Sequence, residues 1–440
     1  MKADETLRME IVKHRPPAPR AVDANKLQLE LLARLSQELD PAALLLDRGD
    51  SLRSRNRRIA VAKQLTAILQ DLDPGGASAP RDLIPAFLDK LIDYGPLLPL
   101  LLDEEISDIM VNRADQVYVE RQGKLAVTDV RFQDDQHLLQ TIHRITEMIG
   151  RSVDDRRPMV DARLPDGSRV NAVIPPLAVQ GPMLTIRKFS RDLITMSDLV
   201  SRECLSADMA ELLRAAVLTR QNIVISGGTG AGKTTLLNVL SSFVPPHERI
   251  ITIEDAAELQ LSQEHVGRLE ARPPGPGGEG AVEIRDLFRN SLRMRPDRII
   301  VGECRGGEAL DMLQAMNSGH DGSMTTAHAN SPKDLIYRLE TMVALSGMNL
   351  PLLAIRRYIA GAVNLIVQIA RYPDGVRRIN EIVEITGMEG DTITRSTLFQ
   401  FRQTGVSGSA VVGHFQSQGV VPRFYEQVRE RGIQLSLDIF

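Results

Sequence analysis

At 440 residues, with 43% hydrophobic and 25% charged residues, the chain has the make-up of a globular protein too long for one ordinary domain, and two or three domains are expected. Lys plus Arg (53) against Asp plus Glu (57) leaves a net charge of −4, which argues against a chain specialised to coat nucleic acid, and aromatics at 4% with no tryptophan offer few platforms for stacked bases. No apolar run approaches the roughly 20 residues that span a bilayer, and Met1 to Asn25 mixes charges of both signs without a signal-peptide core, so a cytoplasmic protein is expected.

Leu31, Leu32, Leu35 and Leu39 recur at helical spacing, as do Leu65, Ile68, Leu69 and Leu72, which predicts a small helical module over residues 1–75 with a disordered start. Asp73 to Pro80 reads as a linker. A second module over 80–195 mixes strands and helices. Ile106 to Val111 and Gln116 to Glu120 read as strands, Leu138, Leu139, Ile142, Ile145 and Ile149 as one helix face, and Val160–Leu164 and Arg169–Ile174 as strands flanking a Pro165-Asp166-Gly167 turn.

From about Ser201 short apolar strands alternate with helices, the rhythm of an α/β domain with a mainly parallel sheet over 201–385. The Gly/Pro-rich Arg272–Gly280 interrupts it as a loop. Helices are expected over Lys333–Leu345 and Leu352–Ala362. Leu365–Ile369 and Arg378–Ile385 read as strands around a Pro373-Asp374-Gly375 turn. Residues 386–440 show weaker periodicity and read as an extension of that domain. Cys204 and Cys304, the only cysteines, have no metal-ligand spacing and read as packing thiols.

The strongest chemical signal is Gly227-Gly228-Thr229-Gly230-Ala231-Gly232-Lys233-Thr234, a glycine, four residues, then Gly-Lys-Thr, with Thr235 following. The apolar Asn222–Ser226 leads into it, and Leu236, Leu237, Val239 and Leu240 mark a buried helix leading out. Glycines let the backbone curl so that successive N–H groups and a helix N-terminus face a phosphate. Lys233 is then expected at the β- and γ-phosphates of ATP and Thr234 at Mg²⁺. Three further strands end in ionisable groups: Ile250–Ile253 before Glu254 and Asp255, Ile299–Val301 before Glu303, and Met324–Ala327 before His328. In open α/β sheets ligands bind beyond the carboxyl ends of the strands, so these groups are expected to converge on the glycine loop. Glu303 is assigned to the Mg²⁺ shell and Glu254 to the attacking water, roles that can be exchanged. His328 is placed at the γ-phosphate. Asp297 precedes its strand and reads as a turn or capping residue.

At these residues the chain resembles the type II/IV secretion ATPase superfamily. Its Walker A box is similar to Gly227–Thr235, its acidic box to IEDAAEL at Ile253–Leu259, its Walker B box to RPDRIIVGECR at Arg295–Arg305, and its His box to GHDGSMTTAHAN at Gly319–Asn330. YGPLLPLL at Tyr94–Leu101, ISDIMVN at Ile106–Asn112 and MVDARLPDGSRVNAVIPP at Met159–Pro176 resemble the CpaF-like ATPases of tight-adherence (Tad, or Flp) pilus systems. The resemblance implies a RecA-like P-loop C-terminal domain, a smaller α+β N-terminal domain, and a hexameric ring at the cytoplasmic face of the inner membrane acting on pilus platform proteins. It further implies N-domain arginines that reach the nucleotide, for which Arg169 and Arg187 are the matches. The implied function is an ATP-driven motor for pilus extension, or also retraction. Export of protein or DNA-protein substrates by a type IV secretion machine is the alternative, and a nucleic-acid-dependent RecA-like motor stands behind it.

Overall fold

The computed structural model of the chain describes residues 29–35, 52–72, 83–121, 123–189, 194–272, 274, 279–408 and 410–440. The expected disordered start, Leu39, the 73–80 linker, and residues 273 and 275–278 of the Gly/Pro-rich loop lie outside the described residues. The chain divides into two compact units, Met1–Ser190 and Arg191–Phe440.

In the first unit, helices α1 (29–35), α2 (Leu52–Leu72), α3 (Leu83–Tyr94) and α4 (Leu98–Leu102) share one apolar cluster. Leu31, Leu35, Leu65, Ile68, Phe87 and Leu91 carry it, and their three- and four-residue spacing is the reason these segments are helical. The strands are β1 (Ile106–Arg113), β2 (Gln116–Arg121) and β3 (Lys124–Val127), followed by α5 (Asp135–Met148), then β4 (Met159–Arg163), β5 (Arg169–Val173) and β6 (Met183–Arg187). They form an antiparallel sheet in the order β3-β2-β1-β6-β5-β4. One face packs on α5 through Leu138, Ile142 and Ile145, against Ile109, Val111, Val170 and Ile186. Asp134 caps α5 by accepting from the His137 N–H.

The second unit runs α6 (Met196–Ser201), α7 (Ala207–Leu218), β7 (Ile223–Gly227), α8 (Lys233–Ser241), β8 (Ile250–Glu254), β9 (Val266–Glu270), α9 (Ile284–Ser291) and β10 (Arg298–Val301). It continues with α10 (Glu308–Met316), β11 (Met324–Ala327), α11 (Pro332–Ala344), α12 (Leu352–Ala362), β12 (Leu365–Arg371), β13 (Arg377–Glu389), β14 (Thr392–Ser407), β15 (Ala410–Ser417) and α13 (Tyr425–Glu430). The nine strands lie in the order β15-β14-β13-β12-β7-β11-β10-β8-β9. From β12 to β9 every pairing is parallel, and from β12 to β15 every pairing is antiparallel. Alternation along the strands feeds two cores. Ile223, Ile225, Ile250 and Ile300 join α7 and α8 in one cluster, while Val224, Ile251, Ile253, Ile299 and Val301 join α10, α11 and α12 in the other. Helices on both faces explain why these strands read as unbroken apolar runs.

The α/β class expected from the sequence is therefore what the chain adopts. The weakly periodic C-terminal stretch is more regular than its sequence pattern suggests. It contains the 16-residue β14 and its partner β15, and β13 crosses residue 385 without a break. Residues 402–407 of β14 are exposed on successive positions, so no two-residue alternation marks them.

Away from the carboxyl ends of the strands, Arg298 opens β10 with a side chain that is 0% exposed. Its Nε donates to Glu248, itself bonded by Arg220 at 3.2 Å, and its Nη1 donates to the Val217 carbonyl at 2.8 Å. A Cβ on Gly322 would stand 2.6 Å from Nη1, which keeps that position a glycine. Burial pushes the Glu248 carboxyl up, but the bonds and charges of Arg298 and Arg220 outweigh it and hold the group below its ordinary 4.5. A group lowered on folding contributes stability above the unfolded value and loses it as pH falls through the folded one. Arg298→Ala would leave Glu248 buried beside Arg220 alone and is expected to cost about 3–5 kcal/mol. Urea unfolding at pH 7 should show that loss, and acid titration should show the variant unfolding at higher pH than the parent.

Candidate active site

The site grows from the end of β7. Gly227 lies so close to β12 that an added Cβ would sit 2.3 Å from the Ile369 carbonyl oxygen, so the first glycine of the loop is dictated by a neighbouring backbone. The loop then curls through Gly230 and Gly232, both in the left-handed region at φ +69° and +96°, and Gly232 is the N-cap of α8. Thr229 is exposed at the loop tip, and the buried Ala231 donates its N–H to the Gly228 carbonyl at 3.4 Å.

Lys233 begins α8 and turns back beneath the loop. Its Nζ donates to the carbonyls of Gly227 (3.2 Å) and Gly228 (2.9 Å) and lies 3.5 Å from either ring nitrogen of His328. Burial lowers the affinity of this amine for its proton, and Glu303 works in the opposite direction. His328 follows β11 and places Nε2 3.0 Å from Glu303 Oε1. Glu303 follows β10, and its Oε2 accepts from Arg305 Nη2 at 2.8 Å. Burial raises the Glu303 carboxyl, but Arg305, His328 and Lys233 together hold it below its ordinary value. Arg305 reaches on toward Asp255, at 3.8 Å. The His328 imidazole is pushed below 6.5 by burial and by Lys233, against the pull of Glu303, so it is neutral at pH 7.

Glu254, the last residue of β8, is only 2% exposed, and its Oε1 accepts from the N–H groups of Glu258 and Leu259, both at 2.8 Å. It packs beside Gly302, where a Cβ would come within 3.0 Å of its Cγ. Sheet order accounts for these meetings. β7, β11, β10 and β8 are consecutive parallel neighbours, so their carboxyl ends bring the glycine loop, His328, Glu303 and Glu254 to one edge. Asp297 sits at the other end of β10 and accepts from the Arg249 N–H, a turn role. Cys304 is fully buried, where burial raises its thiol well above the ordinary value and packing is its use.

Beside α8, Gly232, Thr235 and Leu236 line a cavity of about 290 Å³ with Leu199, Ile369 and Arg377. Arg377 also donates its Nε to the Gly230 carbonyl at 2.9 Å. Sequence reading gave Arg305 and Arg377 no role. Arg305 lay inside the RPDRIIVGECR segment and was open to recognition, whereas Arg377 meets the loop across 147 residues and leaves no local trace.

Arg169 and Arg187 belong to the first unit. They are direct register partners on β5 and β6, and Arg163 on β4 pairs with Arg169, so three arginines stand in one cross-strand row. Arg187 donates to Asp108 at 3.0 Å, the next position in the row, with 59% of its side chain exposed. Like charges directly opposed on a sheet are unfavourable, and the Asp108 carboxylate relieves them at one end of the row. The third arginine was hidden from the sequence because only register reveals it.

A doubly covered sheet with a glycine loop between strand and helix, and ionisable groups on the next three strand ends, defines an α/β protein of the glycine-loop class. More narrowly, the chain belongs to the family described as type II/IV secretion system protein, which matches residues 90–412. It is 38% identical over 307 residues to the putative conjugal transfer protein Rv3659c of Mycobacterium tuberculosis, covering 68% of this chain and 87% of that one. It is 35% identical over 309 residues to the conjugal transfer protein TrbB of Rhizobium radiobacter, covering 69% and 91%. Among solved structures, the ATPase DotB of Yersinia pseudotuberculosis shares the fold at a TM-score of 0.50 and 18% identity, over 68% of this chain and 79% of that one.

The contact at Gly227 makes a contrast between neighbours. Gly227→Ala has to displace β7 or β12 and should lose about 1–3 kcal/mol, whereas Gly228→Ala, with no atom within 4 Å of the new Cβ, should stay within about 0.5 kcal/mol of the parent in thermal or urea unfolding.

Proposed function

We propose that this chain hydrolyses ATP to drive extension, or also retraction, of a Tad-type pilus through inner-membrane platform proteins. The observation that carries the catalytic part is the continuous contact of Lys233, His328, Glu303 and Arg305 beneath a glycine loop. A nucleoside triphosphate suits this arrangement. The loop N–H groups and Lys233 take the phosphates, and the 290 Å³ cavity beside Thr235 and Leu236 takes the base. The Thr234 hydroxyl and the Glu303 carboxylate are the hard oxygen donors that Mg²⁺ prefers, and they would hold the ion that shields phosphate charge.

In the reaction, water attacks the γ-phosphorus, the bond to the β,γ-bridging oxygen breaks, and ADP and inorganic phosphate leave. Glu254 orients the water, neutral His328 turns its single N–H from the Glu303 carboxylate to the γ-phosphate, and Arg169 and Arg187, with Arg163 beside them, add positive charge when the two working domains close. Those domains are read as residues 80–195 and 201–385, preceded by the 1–75 helical module and followed by the 386–440 extension. A hexameric ring at the cytoplasmic face of the inner membrane is the assembly proposed. The Tad assignment rests on the Tyr94–Leu101, Ile106–Asn112 and Met159–Pro176 segments. A second reading, a type IV secretion or conjugal transfer ATPase, is favoured by the names of the two relatives above. Among the described residues no helix is long and apolar enough to cross a membrane, which suits attachment through partners.

Steady-state hydrolysis separates the roles. Lys233→Ala should abolish nucleotide binding. Glu303→Gln should raise the Mg²⁺ requirement as well as lower kcat, while Glu254→Gln should lower kcat by about 10²-fold or more at an unchanged Mg²⁺ requirement. Arg187→Ala should lower kcat, and added single- or double-stranded DNA should change nothing. Activity surviving in Lys233→Ala, or rising several-fold with DNA, would sink the reading.

The depressed His328 makes a separate prediction. Its neutral form persists above 6.5 and is lost as pH falls through the lower folded value. The kcat/KM profile should therefore be level on its account from neutral pH upward and drop on the acid side, and His328→Gln should remove that acid limb.

A further inference from the structure

The tip of the β12–β13 hairpin is tied down more firmly than a surface turn requires. Tyr372 donates its N–H to the Val376 carbonyl, and Gly375, at φ +84°, donates back to Tyr372, both at 2.9 Å. The Asp374 carboxylate accepts from Val376 N–H (3.0 Å), from Arg378 Nη1 (2.9 Å) and from the N–H of Val411 on β15 (3.0 Å). The Arg378 guanidinium, 5% exposed, lies 5.3 Å from the ring centroids of both Tyr372 and Phe401. Strands β12, β13, β14 and β15 thus all hold this one turn.

What the turn presents is Arg377, whose side chain is exposed and runs to the phosphate loop. Its Nε donates to the Gly230 carbonyl, and its Cδ lies 3.0 Å from where a Cβ on Gly232 would stand. It therefore touches the two left-handed positions that give the loop its curl. A trans peptide points its C=O and N–H in opposite directions. A donor fixed on the Gly230 oxygen from outside thus sets the following N–H, that of Ala231, toward the interior of the loop, where it donates to the Gly228 carbonyl at 3.4 Å and closes the turn that shapes the phosphate cradle.

We propose that Arg377 is a positioning residue for the nucleotide, and that the antiparallel strands β13–β15 serve to hold it against the phosphate loop. This rests on the nucleotide-binding reading above. The geometry gives Arg377 no part in bond breaking, since it grips the outer, carbonyl side of the loop.

The test uses the full chain and the fluorescent nucleotide mant-ADP, with steady-state ATP hydrolysis and thermal unfolding alongside. Arg377→Ala is expected to weaken mant-ADP binding about tenfold, to raise KM for ATP by a similar factor, and to leave kcat within about threefold and Tm within about 2 °C, since the side chain is exposed. Arg377→Lys keeps a donor but loses the guanidinium geometry, and should recover part of the affinity. Asp374→Ala should weaken binding by loosening the turn, and adding it to Arg377→Ala should weaken binding no further. Wild-type affinity and KM in Arg377→Ala, while the parent chain binds mant-ADP, would overturn the inference and leave the nucleotide reading standing. So would a fall in kcat at unchanged KM. A parent chain that binds no mant-ADP would remove the nucleotide reading itself, and this inference with it.

Discussion

The buried ammonium of Lys233 sets the terms for everything around it. A charge withdrawn from water has to be repaid by fixed dipoles or counter-charges, and here the first come from the Gly227 and Gly228 carbonyls and the second from Glu303 beyond His328. Those carbonyls converge because the loop is glycine at the turning positions. Glu303 is in range because β10 lies beside β11, which lies beside β7. Glu303 in turn remains ionised despite its burial because Arg305 bonds it from the other side. Each group is held at its charge state by the next, so the site is better regarded as one polarised chain of contacts than as a set of separate catalytic residues.

That chain explains which features were legible in the sequence. The glycine loop was readable because its chemistry is local: strand, turn residues, lysine and helix follow one another within twenty residues or so. Glu303 and His328 were readable at one remove, since parallel strands with helices on both faces deliver their carboxyl ends to one edge whatever the intervening length. Glu254 was legible as a residue at that edge, but its bonds to the Glu258 and Leu259 N–H groups depend on the path of the following segment, which composition does not encode.

The features that escaped are those fixed by register or by distance along the chain. Arg169 and Arg187 stand out only through resemblance, and Arg163 looks like a scattered strand charge until the pairing of β4, β5 and β6 puts all three side by side. Arg377 reads as an ordinary residue after a turn. β14 and β15 were missed because the outer half of their ribbon is wet on successive residues, which erases the alternation by which half-buried strands are recognised.

The sheet also has a seam, and β7 with β12 forms it. On one side β13, β14 and β15 join by short antiparallel hairpins whose partners are close in sequence, and on the other β7, β11, β10 and β8 pair in parallel although helices and other strands separate them in the chain. Contact order therefore differs sharply between the halves: the ribbon can zip from local turns, while the parallel strands must wait for distant segments to close. Gly227 and Ile369 meet at that seam, so the glycine loop acquires its shape only when a fast-forming ribbon and a slow-forming parallel sheet have joined. In a chain emerging from synthesis, the residues that shape the loop from the ribbon side, Ile369 and Arg377, are made well after the loop itself, so its packed form has to await them.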